Sequence, residues 1–136
     1  MVERRGKLVA RIVEDTQANT MTKEILKSVK RSANVYTDEW QGYKNLSKYD
    51  NHSIVKHSEK EFVNGNAYTN TLECVWGILK RGILGIYHFT SKKHLQIYLD
   101  EFVFRYNTRK ISEQNRFETM LSNMTVRTKY KELVYA

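Results

Sequence analysis

Apolar residues recur along this chain with two periods, and each change of period marks an element. Lys7 to Val13 alternates, with Leu8, Ala10 and Ile12 on one side and Lys7, Val9, Arg11 and Val13 on the other; its β-branched content predicts a strand. Glu14 to Asn19 turns the chain. Thr20 or Thr22 then caps a helix running to about Arg31, with Glu24 near its start, Lys27, Lys30 and Arg31 near its end, and Ile25, Leu26 and Val29 facing inward. Asn34 to Thr37 reads as a short central strand that delivers Asp38. Trp40, Tyr43 and Leu46 recur at three-residue steps, which predicts a short helix packed on the sheet edge. Ser53 to His57 is a third strand centred on Ile54 and Val55.

The longest polar connection, Ser58 to Thr69, contains the turn signal Asn64-Gly65 and leads directly into the next helix. It either covers a site or is a plain surface loop. From Asn70 onward the period is helical. At about 100° per residue, Asn70, Glu73, Gly77, Lys80 and Arg81 share one sector, while Leu72, Val75 and Leu79 lie opposite. Asn70 or Thr69 can cap the start, and Gly82 is expected to stop the helix. Trp76 flanks the polar sector, and Gly77 leaves room for a close approach. Thr90 or Ser91 caps a further helix to about Tyr106, with Leu95, Tyr98, Leu99, Phe102 and Tyr106 as its inner stripe. Glu113 to Ala136 adds a last helix with Phe117, Met120 and Leu121 as its contacts, then a basic tail.

Composition narrows the classes. The 136 residues suit one domain, and 40% hydrophobic with 12% aromatic residues supports a folded core. A single cysteine, Cys74, excludes an internal disulfide and reads as a small packed thiol. No apolar run approaches the roughly 18 residues of a membrane span, and the start lacks an apolar secretory segment, so the expectation is a cytoplasmic protein with no membrane partner. The formal charge of +8, from 23 basic and 15 acidic residues, favours a nucleic-acid partner, because Lys and Arg displace counterions from phosphates.

The chemistry-bearing residues fall in three places. Asp38 ends a strand, where open α/β sheets usually bind ligands, and Glu73 follows on a later helix. Two such carboxylates can hold a divalent metal, although Glu73 and Lys80 can equally be solvated. Arg105, Asn107, Arg109 and Lys110, at the end of the penultimate helix, are candidate phosphate contacts.

Val35-Tyr-Thr-Asp38-Glu with Gly42-Tyr43, then His57-Ser, then Thr69-Asn-x-x-Glu73-x-x-Trp76-x-x-x-Lys80-Arg-Gly, then Asn107-x-Arg109, together resemble the catalytic domain of DDE-type insertion-sequence transposases. The resemblance runs from about Arg4 to Arg109. It implies a ribonuclease H-like α/β fold, with a central mixed sheet flanked by helices, over residues 1–112, and a helical extension over 113–136. It also implies metal-dependent cleavage and transfer of double-stranded DNA with two Mg2+ or Mn2+ ions, which prefer hard oxygen donors. Asp38 would be the second carboxylate of the triad. Glu73 is the favoured third ligand, with Asn70 as a supporting contact or, as in some relatives, the ligand itself. Lys80 and Arg81, with Arg105 and Arg109, would hold DNA. His57 either assists the metal site or is a hydrogen-bonded structural residue.

The resemblance departs at the start. The family's first aspartate lies on a strand preceding the segment that matches Arg4 to Val13, and Glu3, Glu14 and Asp15 are poor replacements. The expectation is therefore an amino-terminally truncated catalytic domain without its first strand. Such a chain is a weakened transposase or, alternatively, an inactive DNA-binding or dimerising fragment that associates with itself or with a full-length transposase. A structure-selective nuclease of the same fold fits the site but not the Asn-x-x-Glu-x-x-Trp motif.

Overall fold

A computed structural model describes residues 1–48, 51–56, 58, 69–124 and 130. The elements are α1 (Ala18–Ser28), β1 (Val35–Asp38), a 3₁₀ helix (Gln41–Lys48), β2 (His52–Val55), α2 (Asn70–Gly82), a π-helical turn (Ile83–Tyr87), α3 (Leu95–Asn107) and α4 (Glu113–Ser122). The chain is a mixed α/β structure.

β1 and β2 pair in parallel, with Val35 opposite His52 and Asp38 opposite Val55. Parallel partners need a crossover, which the 3₁₀ helix supplies. That helix packs on α1 and β2, and Asn45 donates to Asn19 Oδ1 at 2.9 Å to fix the first contact. Leu46 is fully buried and meets Ile25, with Met1, Val29, Val35 and Tyr43 around them. The aromatic spacing that predicted a packed helix is thus satisfied inward by Leu46. Trp40 stays 42% exposed and meets Tyr43 edge to face at 5.3 Å.

Several elements differ from the sequence expectation. Lys7 to Val13 does not join the sheet: Leu8 forms one antiparallel bridge, to Val2, and the rest is extended. Its polar backbone is met by side chains of α3. Asn107 Oδ1 accepts from the Leu8 N–H at 2.7 Å and Asn107 Nδ2 donates to the Leu8 carbonyl at 3.0 Å. Gln96 Oε1 accepts from the Ile12 N–H at 2.9 Å and Gln96 Nε2 reaches the Ala10 carbonyl at 3.4 Å. Leu8, Ala10 and Ile12 are alternate residues, so two carboxamides occupy positions that a neighbouring strand would fill. Val9 turns its backbone the other way and exchanges bonds with Met1. The sheet among the described residues accordingly has two parallel strands, rather than the expected larger mixed one.

α1 starts at Ala18 after Gln17, with no side-chain cap, and ends at Ser28, ahead of the expected Arg31. α3 starts at Leu95, later than the Thr90 or Ser91 cap predicted, although the Ser91 carbonyl accepts from the His94 N–H at 3.1 Å. Gly82 does not stop α2. Its φ of −61° is helical, the Ile83 N–H bonds the Leu79 and Lys80 carbonyls, and the chain runs on into the π turn. The left-handed residue that ends it is His88, with φ 57°. α4 is well capped, since Ser112 accepts from the Asn115 N–H. Its apolar stripe is unpartnered among the described residues: Phe117, Met120 and Leu121 are 57%, 43% and 49% exposed, where inward contacts were expected.

Candidate functional site

Because β1 and β2 are parallel, both deliver their carboxyl ends to one edge. Asp38 closes β1 there, exposed to solvent. Its Oδ1 accepts from the Trp40 N–H at 3.2 Å, which turns the chain away from the strand and holds the carboxylate at the edge. The neighbouring Glu39 joins the two strand ends, accepting from the Ser58 N–H at 2.9 Å and the Ser58 hydroxyl at 2.7 Å. Tyr43 lies under the same edge. Burial pushes its phenol pKa up, and the nearby Asp38 charge adds to the shift.

Beneath the edge, the buried Thr37 hydroxyl donates to the Asp38 carbonyl at 2.9 Å and contacts His52 Nε2 at 2.9 Å. The hydroxyl has one proton, so its oxygen is left to accept from His52. Burial holds the His52 imidazole below the ordinary histidine value. The expected histidine, His57, lies outside the described residues, as do residues 59 to 68 of the loop that follows.

α2 presents the second group. Val75 and Leu79 are buried and Leu72 is half-buried, whereas Asn70, Glu73, Lys80 and Arg81 are exposed, as the helical period requires. Glu73 lies in the first turn and Lys80 and Arg81 in the last, each sign at the end of the helix dipole that favours it. The Thr69 hydroxyl reaches Glu73 Oε1 at 3.5 Å, and the Thr69 carbonyl accepts from the Leu72 and Glu73 N–H groups. Thr69 is thus the N-cap residue, without a side-chain capping bond to the first turn. Arg81 extends beside Gly77: a Cβ at Gly77 would meet only Arg81 Nη1, at 3.7 Å. Trp76 is half exposed. Cys74 is exposed too, against the packed thiol expected, because it sits on the arc between the two stripes.

The remaining candidates are engaged within the chain. Arg105 pairs with Glu101 one turn back, Nη2 to Oε1 at 2.7 Å, while remaining exposed. Arg109 folds back, with Nη1 and Nη2 at 3.3 and 3.2 Å from the Gly6 carbonyl and its guanidinium 3.9 Å over the Tyr106 ring. Lys110 Nζ donates to the Arg5 carbonyl at 2.9 Å. Asn107, a candidate phosphate contact from sequence, is the Leu8 clamp. Sequence periodicity gave no sign of Gln96 or Glu39 as tethers, since both bond backbone atoms far along the chain.

The carboxylates fit a hard divalent cation in kind. In number they fall short, because among the described residues no three His, Cys, Asp or Glu side chains gather into a group able to hold a metal ion. No catalytic step through a metal is derived from this arrangement.

The site thus combines, in a basic chain, a carboxylate at a parallel-sheet edge with two cations at a helix end. Comparison with known proteins resolves the class to transposases. Residues 1–107 match the ISXO2-like transposase domain. A protein of Haemophilus influenzae described as an uncharacterized transposase-like protein is 30% identical over 104 residues, covering 76% of this chain and 83% of that protein. This chain belongs to the ISXO2-like transposase domain family. No solved structure matches it. No helix among the described residues is long and apolar enough to cross a membrane.

Proposed function

We propose that the chain acts on double-stranded DNA in the transposition of an insertion sequence, by metal-dependent strand cleavage and transfer on a ribonuclease H-like domain. Family membership carries this reading. Asp38 and Glu73 are the residues that would hold Mg2+ or Mn2+, with Asn70 beside Glu73 as the supporting ligand. A bound divalent ion would supply charge for activating an attacking oxygen and stabilising a leaving one. The chain's own part is to place DNA: Lys80 and Arg81, held at the exposed end of α2, meet backbone phosphates, and Arg105 adds charge along α3. The net charge of +8 supports a polyanionic partner.

A second reading is a chain that holds DNA, or pairs with itself or another transposase, without cutting. It draws support from the net charge of +8, which favours a polyanionic partner whether or not strands are cut. One experiment separates the two. Nicking of a supercoiled plasmid by the purified chain in Mn2+, abolished in both Asp38→Ala and Glu73→Ala, supports cleavage. DNA bound but uncut by the unaltered chain supports the second reading, and nicking that persists in both variants refutes the assignment of the two carboxylates.

A further inference from the structure

A second set of cations surrounds the turn Glu3–Lys7, on elements other than α2. The turn is closed by the Glu3 N–H to the Lys7 carbonyl at 2.8 Å and the Gly6 N–H to the Glu3 carbonyl at 3.0 Å. Arg5 at its tip is left-handed, with φ 55°, so the backbone is fixed by the closure rather than by the residue's own preference. Arg4, Arg5 and Lys7 are all exposed on it. The Arg4 guanidinium lies 4.3 Å over the Tyr36 ring. From the end of α3, Lys110 and Arg109 dock on the consecutive carbonyls of Arg5 and Gly6, which brings two more exposed cations onto the same turn. The carboxylate of the turn, Glu3, accepts from the Lys7 N–H through Oε2.

Arg4, Arg5, Lys7, Arg109 and Lys110 thus lie on or against one turn, and like charges set close together favour a polyanionic partner. Lys110 donates one of its three N–H groups to Arg5 and retains others. Arginine forks match phosphate oxygens in particular.

We propose that the Glu3–Lys7 turn, with Arg109 and Lys110, is a second phosphate-contacting surface for duplex DNA, additional to Lys80 and Arg81; this rests on the reading that the chain binds DNA. Contacts of this kind fix the position of the duplex and read no sequence. Arg109 and Lys110 therefore serve two roles, tying the turn to α3 and facing the backbone of DNA.

The test is fluorescence anisotropy with two duplexes of unrelated sequence across a KCl series, using the full chain, the triple variant Arg4→Gln, Arg5→Asn, Lys7→Gln, and the double variant Lys80→Ala, Arg81→Ala. Asparagine is chosen at position 5 because it tolerates a left-handed backbone. The triple variant is expected to lower the slope of log affinity against log salt by about two to three, since each lost phosphate contact removes about 0.9, and equally on both duplexes. An unchanged slope in the triple variant, with the double variant still weakened, overturns this surface and leaves DNA binding standing. Failure of the unaltered chain to bind duplex overturns both. Tighter binding to polyglutamate than to duplex overturns it in favour of an acidic protein partner. Acetylation of Lys7 and Lys110 in the unaltered chain is an independent readout: DNA is expected to protect both several-fold, and equal labelling with and without DNA overturns the proposal even if the triple variant does not fold.

Discussion

The Tyr87 hydroxyl donates to Glu101 Oε2 and so ties the π turn that follows α2 to the middle of α3. Arg105 takes the other carboxylate oxygen, with Nε at 2.9 Å from Oε1, and Tyr98 meets the Tyr87 ring edge to face at 4.6 Å. The Tyr87 bond, and then Arg105, hold the Glu101 carboxyl below the ordinary glutamate value against the opposing effect of burial. The same bond raises the Tyr87 phenol. Tyr87→Phe is therefore expected to move the Glu101 pKa upward in a carboxyl NMR titration. A depressed carboxylate contributes stability above its unfolded pKa and loses it as pH falls through the folded value, so the variant's deficit should be full at neutral pH and shrink below about pH 4.

His52 governs a different pH window. Its imidazole is kept below the ordinary value by burial against Thr37, so the unfolded chain takes up the proton first. Stability is complete above about pH 6.5 and falls as pH drops below it. The urea midpoint should decline from pH 7.5 to 5.5, and His52→Gln should flatten that decline. The depressed carboxylates Glu101, Glu24 and Asp15 act at lower pH and leave this window clear.

Two glycines on α2 can each take a methyl group in the free chain. A Cβ at Gly82 meets nothing within 4 Å, and its backbone is helical, so Gly82→Ala should stabilise the chain by about 0.5–1 kcal/mol in urea denaturation. Gly77→Ala should give a similar gain in the free chain, because the new methyl makes only ordinary contact with Arg81. If DNA approaches the polar face of α2 at Gly77, the same substitution weakens binding in anisotropy. Unchanged binding would show that no such close approach occurs.

Asn107→Leu should be costly. Leu8 is 3% exposed, and the substitution leaves both its N–H and its carbonyl without the carboxamide. A loss of about 2 kcal/mol or more is expected in urea denaturation, from the 1–3 kcal/mol typical of an unsatisfied buried group.

Features set by nearby residues were legible in the sequence. The stripe of Leu72, Val75 and Leu79 located α2 to within its ends, and Val35 to Asp38 lay within a residue of its predicted strand. Asp38 at a strand end and Lys80 with Arg81 at a helix end follow from the same local patterns. Features set by distant partners were not. Alternation in Lys7 to Val13 specifies an extended chain but not that Asn107 and Gln96 will stand in for a strand. Apolar spacing at Phe117, Met120 and Leu121 names the face of α4 that would be buried, and says nothing of whether another element covers it. Gly82 looked like a stop because glycine favours the left-handed conformation, yet His88 carries it. The pairing of Arg109 with Gly6, 103 residues away, leaves no trace in spacing either.

The link between Leu8 and Asn107 spans 99 positions of sequence, and a ribosome adds about 5–20 residues each second. Leu8 is therefore made about 5–20 seconds before the side chain that will grip it. Through that interval the backbone groups of Leu8, Ala10 and Ile12 lack the carboxamides that bond them in the folded chain. Any chaperone, or any neighbouring nascent copy, competes with α3 for those groups until Asn107 emerges.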